Sequence, residues 1–170
     1  MSNIFFTSDT HLGHANIIKY CNRPFKDLET MNKAIIRNWN ERVKPEDTVF
    51  HLGDFCFHNS SDKEVKGVNV TADYWLKQLN GQIIIIKGNH DGNNTVDTSI
   101  FKLELHKYGK KILLIHNPEN ITTKDRVEHD FIFCGHVHDK WLQMGKIINV
   151  GVDKWNFRPI KFDEIIKRTK

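Results

Sequence analysis

Short blocks of polar residues follow several brief apolar runs of this chain and carry side chains that can bind metals. The blocks are Asp9-Thr10-His11, Gly53-Asp54, Gly88-Asn89-His90-Asp91, His116 and Gly135-His136-Val137-His138. Carboxylate, amide and imidazole groups are oxygen and nitrogen ligands for divalent metals. Asp9 and His11 are two residues apart, a spacing that can let both side chains reach one ion, and His136 and His138 have the same spacing. The blocks therefore predict a metal site.

Two divalent ions would fit the number of available ligands. The predicted ligand set is Asp9, His11, Asp54, Asn89, His116, His136 and His138. It contains no thiolate, which favours manganese, iron, zinc, nickel or magnesium over a structural zinc site, and we expect manganese. Two such ions carry more positive charge than Asp9 and Asp54 neutralise, so phosphate oxygens would be attracted and stabilised. This predicts metal-assisted hydrolysis of a phosphate ester.

Each block taken alone also has a structural explanation. A single histidine at the end of a strand is more often hydrogen-bonded within the protein, and Gly88-Asn89 is typical of a turn. However, all the blocks occur in order, each after an apolar run. That arrangement favours the metal site.

The length and composition indicate one globular domain over residues 1–170. Apolar residues make up 39% of the chain, which is enough for one sizeable core. No run approaches the ~20 apolar residues of a membrane span, and 4–6 is too short for a signal peptide. The net charge of +4 favours anionic partners only weakly.

The three cysteines predict a reduced, cytoplasmic setting. Cys21, Cys56 and Cys134 are odd in number and lack pair-like spacing. Cys56 stands two residues from Asp54 and is either a soft metal ligand or a small buried side chain.

Apolar runs rich in β-branched and aromatic residues predict buried strands that end at the polar blocks. The runs are 4–6, 48–50, 83–86, 112–115 and 131–133. Such short continuous runs are typical of strands covered on both faces. Ligands in layered α/β folds collect beyond the carboxyl ends of the strands, and every block lies there.

The spacing of apolar residues predicts a long helix over 27–43, with Asp27 as its N-cap and Pro45 just past its end. Its apolar face comprises Leu28, Met31, Ile35, Trp39 and Val43. A second helix is expected between Thr71 and Gly81, and a third over 163–167.

Two hairpins are also predicted, and they complete an α/β layered domain with mixed sheets. Apolar and polar residues alternate over 101–105, which predicts a strand. A turn at Gly109-Lys110 would then lead into the apolar run that begins at Ile112. Residues 141–142 and 147–148 flank Gly145-Lys146 in the same way.

The ordered blocks resemble the signature of the calcineurin-like metallophosphoesterase superfamily: D-x-H, G-D, G-N-H-D/E, H and G-H-x-H. They span most of the chain, which looks like the small, uncapped bacterial-type members. The resemblance implies a four-layer sandwich of two mixed β-sheets flanked by α-helices. It implies a first ion on Asp9, His11 and His138. It implies a second ion on Asn89, His116 and His136, with Asp54 bridging the two.

The mechanism that we expect is direct hydrolysis. A hydroxide that bridges the metals attacks phosphorus, and His90, by the resemblance, gives a proton to the leaving group. Asp91, in the same block, is assigned to catalysis beside His90.

The chain departs from one branch of the superfamily. The Ser/Thr phosphoprotein phosphatases carry an arginine and an aspartate soon after G-D, where this chain has Phe55-Cys56-Phe57-His58. They also use G-N-H-E, where this chain has Asp91. His116 is followed by Asn117-Pro118, where many relatives have glycine. Protein dephosphorylation is therefore disfavoured.

Three residues are predicted to bind substrate. Arg23 could meet phosphate oxygens with two hydrogen bonds or be a solvated loop residue. His14 could line the pocket or simply begin a helix, and Asn89 would contact substrate as well as metal. A polar and aromatic cluster near the C-terminus either shapes a pocket or anchors the chain end: Asn149, Asp153, Trp155, Asn156 and Arg158.

A phosphodiester is preferred to a monoester, because few cations stand near the early blocks to neutralise a dianion. The expected partner is a small phosphate ester, a nucleotide included. A phosphomonoesterase, a nuclease and a catalytically silent protein-binding scaffold are the alternatives. The complete ligand set argues against the scaffold, and the lack of an added nucleic-acid module argues against the nuclease.

Overall fold

The computed structural model describes residues 2–57, 71–92 and 96–169, which form two β-sheets with helices packed around them. The strands are β1 (Ile4–Thr7), β2 (Thr48–His51), β3 (Gln82–Ile85), β4 (Lys102–Lys107), β5 (Lys110–Ile115), β6 (Phe131–Cys134), β7 (Gln143–Met144), β8 (Ile147–Asn149) and β9 (Ile160–Lys161). The helices are α1 (Asn16–Tyr20), α2 (Leu28–Asn40), α3 (Ala72–Leu76), α4 (Thr123–Glu128) and α5 (Phe162–Arg168).

Both sheets are mixed, as predicted. The first has the order β3-β2-β1-β9, in which β1, β2 and β3 are parallel and β9 is antiparallel to β1. The second has the order β4-β5-β6-β8-β7, in which β5, β6 and β8 are parallel. The antiparallel strands lie at the edges, where hairpins and a short terminal strand can join a parallel core.

The parallel strands of both sheets end at one side of the molecule. A bridge between Ser8 and Gly151 pairs the segment after β1 with the segment after β8 and so joins the two sheets there. The polar blocks after β1, β2 and β3 therefore face the blocks after β5 and β6. This convergence brings residues from distant parts of the chain into one site.

The main core lies between the two sheets. Phe6 and Phe50 from the first sheet pack with Leu114, Phe133 and Ile148 from the second. The rings of Phe6 and Phe133 meet edge-to-face, with centroids 5.0 Å apart. Complete burial of each such side chain contributes about 1.5–3 kcal/mol, and this core holds the two halves of the site together.

Helices cover the outer face of the first sheet, and shorter segments cover the second. Met31, Ile35 and Trp39 of α2 are buried in a cluster with Phe5 and Val49 of the sheet. On the other side, the outer face of the second sheet packs against Ile121, which follows the 3-10 turn that precedes α4. The flanking helices agree with the predicted architecture.

The predicted long helix is confirmed, with a nearer end. The Asp27 carboxylate accepts a hydrogen bond from the Thr30 backbone N–H at 2.8 Å, which satisfies one free donor of the first turn. The helix ends at Asn40 rather than at Val43. Val43 is nevertheless buried, because the turn that follows continues along the same face.

The hairpin of β4 and β5 is confirmed, and Tyr108 and Gly109 at its turn have φ values of 59° and 66°. The second hairpin is shorter than predicted, since its first strand is Gln143–Met144 and Trp141 lies before it. The sequence patterns gave no prediction for α4 or for β9. The two residues of β9 are too few to show a periodic pattern.

Candidate metal centre

The backbone at the predicted ligands is unusual. Asp9, His11, Asp54, His136 and His138 all have φ between 47° and 70°. Left-handed backbone at a residue other than glycine costs of order 1–3 kcal/mol and persists only where surrounding contacts enforce it. Its concentration at five of the seven predicted ligands marks these loops as the part of the fold that is shaped for function.

The first group of ligands consists of Asp9, His11 and His138, with one donor atom of each within 4.8 Å of the others. The Nε2 atom of His11 is buried and has no hydrogen-bond partner among the described residues. Buried polar atoms are nearly always satisfied, so this nitrogen requires a partner beyond the described residues. A divalent cation fits that requirement and the chemistry of the group.

The second group consists of Asp54, His116 and His136, again within 4.8 Å of one another. The Asn89 side chain lies beside this second group. Its Oδ1 atom lies 2.9 Å from His116 Nε2 and 2.8 Å from His136 Nδ1. Four predicted ligands thus converge on a second point.

One carboxylate oxygen lies between the two groups. Asp54 Oδ2 is 3.6 Å from His11 Nε2 and 3.4 Å from His116 Nε2. The other oxygen, Oδ1, accepts a hydrogen bond from the His90 backbone N–H at 2.9 Å. This location is the one that a bridging ligand needs.

The charges of the site are strongly coupled. Burial lowers the pKa of His116, but the hydrogen bond to Asp54 and the charges of Asp9 and Asp54 outweigh it and raise that pKa to about 9. Burial likewise lowers the pKa of His138, but the hydrogen bonds to Asp153 and Cys21 and the charge of Asp9 outweigh it and raise that pKa to about 10. The pKa of Asp54 lies well below its usual range, because His116 and His11 outweigh the effect of burial. The side chains of His116 and His138 are therefore imidazolium groups, and their positive charges lie where that of a bound metal ion would be.

Contacts behind the ligands fix their orientation. His116 Nδ1 lies 2.6 Å from the Leu52 carbonyl oxygen, to which it donates. Its Nε2 atom is thereby directed toward Asn89 and Asp54. The Asp9 carboxylate accepts the His136 backbone N–H at 3.0 Å on both oxygens. Such outer contacts determine which nitrogen of a histidine is offered to a metal.

Two glycines allow the loops to approach so closely. A Cβ atom at Gly135 would lie 2.0 Å from Ser8 Oγ and 2.5 Å from an Asp9 oxygen. A Cβ atom at Gly88 would lie 2.2 Å from Asp54 Oδ1. Any larger residue at either position would displace a predicted metal ligand.

The structure corrects the prediction that Arg23 binds substrate phosphate. The residue is 4% exposed, and its guanidinium donates to both oxygens of Asp153 at 2.8 and 3.0 Å. It also donates to the backbone oxygens of Asp9 and Thr10 and to the Met31 sulfur. All five donors of the side chain are therefore used within the protein. Arg23 is neither a phosphate ligand nor a solvated loop residue.

Asp91 is positioned to shape the loops rather than to contact substrate. It is buried, and its carboxylate accepts hydrogen bonds from the backbone N–H groups of Asp54, Phe55 and Gly88. These bonds connect the loop after β2 with the loop after β3. The catalytic role predicted for Asp91 is thus replaced by a positioning role.

His90 and His14 lie beside the ligand groups. His90 is exposed, and its ring centroid is 5.7 Å from that of His11. The His14 ring stacks on Phe57 at 4.2 Å and lies 5.5 Å from the His11 ring. Burial lowers the pKa of His14, and the charge of His90 adds to this effect. Both rings can therefore reach a molecule bound at the metal centre.

Asp153 is the site residue whose role was missed by sequence reasoning. Its Oδ2 atom lies 3.3 Å from His138 Nδ1, so it links Arg23 to a predicted ligand. Asn149, from the same C-terminal cluster, instead donates to the backbone oxygens of His138 and Trp141 and anchors that segment. Asn149 and Asp153 lie close to His138 along the chain, and this closeness is the signal that could have suggested their contacts with it. No such signal was available for the pairing of Asp153 with Arg23, because these two residues are 130 residues apart.

Cys56 is buried, and burial raises the pKa of its thiol to about 12. It belongs to none of the ligand clusters of the described residues. The interpretation as a small buried side chain is therefore favoured over that as a metal ligand.

Comparison with known proteins identifies the family. The calcineurin-like phosphoesterase superfamily domain matches residues 2–153, and the chain belongs to that superfamily. It is 39% identical to protein MJ1445 of Methanocaldococcus jannaschii over 98% of this chain and 91% of that protein. It is 29% identical to the gene 66 protein of Mycobacterium phage L5, over 97% and 93% of the two chains.

A solved structure is similar over its whole length. The protein AQ665 of Aquifex aeolicus, described as of unknown function, is 30% identical, with a TM-score of 0.71. The similarity covers 99% of this chain and all of that one. Within the part of the chain that the structure describes, no helix is long and apolar enough to cross a membrane.

Proposed function

We propose that the protein is a dinuclear-metal-dependent phosphoesterase that hydrolyses a phosphodiester. The observation that carries this proposal is the location of Asp54 Oδ2 between two ligand groups. Membership of the phosphoesterase superfamily supports the same reaction class. Substrate, metal and mechanism are proposed on this basis.

The predicted ligands divide between the two ions. Asp9, His11 and His138 would hold one ion, Asn89, His116 and His136 would hold the other, and Asp54 would contribute to both. When bound, the ions supply Lewis acidity that activates water for attack on phosphorus and offsets negative charge on the phosphoryl oxygens. We propose manganese, with iron, zinc, nickel or magnesium as alternatives, because nitrogen and oxygen donors form the whole set.

His90 acts as general acid. Its backbone N–H is held by Asp54 Oδ1 at 2.9 Å, so its exposed ring remains close to the centre without serving as a ligand. Proton donation to the departing oxygen by a positioned histidine contributes roughly 10²–10⁴ in rate. His14, whose ring lies 5.5 Å from that of His11, is proposed to contact the substrate.

A diester suits the charge and openness of the site. The Arg23 guanidinium forms an ion pair with Asp153. Its positive charge is therefore not available to neutralise the second negative charge of a phosphate monoester. Asn89 and His90 are exposed, so the centre is accessible to a phosphorus with two substituents. The three cysteines are free and buried, and we place the reaction in the cytoplasm.

Hydrolysis assays on the manganese-loaded protein test this function. Bis-nitrophenyl phosphate should be turned over faster than mono-nitrophenyl phosphate at matched pH. His90→Ala should keep its metal and lose rate on esters with poor leaving groups, with a smaller loss for nitrophenolate. His106→Ala is the matched control, since His106 is also exposed and pairs with Glu104 away from the site. An inactive wild-type protein with full metal content would refute the proposal.

A further inference from the structure

A pocket of about 470 Å³ opens beside the second ligand group. Its walls include Lys87, Asn89, Phe101, His116, Asn117 and Asn120. Cavities of ~300–1,000 Å³ are typical of small-molecule sites. Because Asn89 and His116 belong to both the pocket and the predicted ligand set, a group in the pocket would lie next to a phosphate ester bound at the candidate metal centre.

Phe101 presents an exposed aromatic face at this pocket. The residue is 65% exposed, although the segment that carries it is fixed. The Lys87 backbone N–H donates to the Ile100 carbonyl oxygen at 2.7 Å, and Thr98 Oγ1 donates to the Ile85 carbonyl oxygen at 2.8 Å. A ring that is held in place but not covered by the core is available to stack on a planar ligand.

Lys87 adds a positive charge at the same wall. Its Nζ atom lies 5.5 Å from the centre of the Phe101 ring. Among the described residues, no carboxylate forms an ion pair with it, whereas the neighbouring Lys102 pairs with Asp125 at 3.1 Å. Lys87 is therefore the cation of this pocket that can meet an anionic ligand oxygen.

Two asparagines, Asn117 and Asn120, also line the pocket and offer amide groups. Asn117 uses its side-chain oxygen to accept the Glu119 backbone N–H at 2.9 Å, which leaves its amide NH₂ for other partners. Asn120 is exposed. Amide groups next to an aromatic face can recognise the polar edge of a heteroaromatic ring.

We propose that this pocket holds the nucleobase of a nucleotide substrate, with the base on Phe101, its polar edge toward Asn117 and Asn120, and Lys87 toward the phosphate. This assignment rests on the proposed phosphoesterase function and names its substrate class. Stacking of a base on an aromatic side chain is a sequence-tolerant interaction. The asparagines then select among bases.

Titration calorimetry with the manganese-loaded protein separates this assignment from the parent function. The probes are adenosine monophosphate, which has a base, and ribose 5-phosphate, which lacks one. Adenosine monophosphate should bind the wild-type protein more tightly than ribose 5-phosphate does. Phe101→Ala should weaken the binding of adenosine monophosphate roughly tenfold, the usual scale of one stacked base. The same variant should bind ribose 5-phosphate as the wild type does. Phe101→Leu, which keeps apolar bulk without the ring, should lose nearly as much.

Lys87→Ala should weaken both probes, whereas Lys26→Ala, at a remote exposed lysine, should weaken neither. Equal affinity of the two probes for wild-type protein, or an unchanged affinity in Phe101→Ala, would overturn the base pocket. Nitrophenyl ester hydrolysis by the same wild-type sample reports separately on the phosphoesterase function. Turnover without base-dependent binding would refute only the pocket, and absence of turnover would refute the parent proposal.

Discussion

Asp153 is a residue outside the predicted ligand set that contacts one of its members. It accepts hydrogen bonds from the buried Arg23 guanidinium and faces His138 Nδ1. The carboxylate thereby balances a buried cation and orients a predicted ligand. In other metal sites, partners of this kind change metal affinity by about 10–100-fold.

Asp153→Asn should therefore weaken manganese binding by at least about tenfold. The substitution removes the charge that holds His138 and leaves the positive charge of Arg23 uncompensated beside a cation site. Binding is measured by titration calorimetry. The control is Asp139→Asn, at an exposed position next to His138. Wild-type affinity in Asp153→Asn would show that the contact has no influence on the centre.

Metal binding should release protons. His116 and His138, with pKa values of about 9 and about 10 in the metal-free protein, are protonated near neutral pH. A metal ion binds only the deprotonated nitrogen, so the affinity for manganese should increase as the pH rises from 6.5 toward 8. Calorimetry in buffers with different enthalpies of ionisation should give a net release of roughly one to two protons per chain. An affinity that is independent of pH would contradict this coupling.

At the scale of the elements, the loops after the strands determine the site. Five of the predicted ligands have left-handed backbone, and the loop after β6 passes so near the loop after β1 that only glycine fits at position 135. The Asp91 carboxylate holds the loops after β2 and β3 together through backbone N–H groups. The chemistry of the ligands therefore depends on residues that are not ligands.

Gly135→Ala should reduce manganese affinity by more than about tenfold and lower the melting temperature. The added Cβ would lie 2.5 Å from an Asp9 oxygen, so Asp9 would have to move, and strain of this kind is a recognised cause of large destabilisation. Gly92→Ala is the control, because a Cβ there meets no described residue within 4 Å. Unchanged affinity and melting temperature in Gly135→Ala would show that the loop adapts without cost to the site.

Much of this arrangement could be predicted from the sequence, because apolar runs show where strands end and the blocks follow directly. The α2 helix was predictable for a similar reason, since its apolar spacing and its Asp27 cap are local signals. The pairing of Arg23 with Asp153 was not predictable. It joins positions 130 residues apart, and nothing local distinguishes a buried arginine from an exposed one. The role of Asp91 was missed because its partners are backbone groups.

At the scale of the whole molecule, the candidate metal centre lies where two sheets meet. Asp9, His11, Asp54 and Asn89 follow strands of the first sheet, and His116 and His136 follow strands of the second. The apolar core between the sheets fixes the positions of these two sets of residues relative to each other. The site is therefore a property of the complete sandwich, and neither sheet alone carries a full ligand set.

Stepwise addition of manganese to chelator-treated protein, with bound metal and hydrolysis of bis-nitrophenyl phosphate followed together, tests the central proposal most directly. We predict no turnover without metal and a rate that rises with occupancy until about two ions are bound per chain. Asp54→Asn should lower both quantities, because it removes the charge shared by the two ligand groups. Full activity after exhaustive chelation, or complete metal binding with no turnover of any phosphate ester, would contradict the proposal.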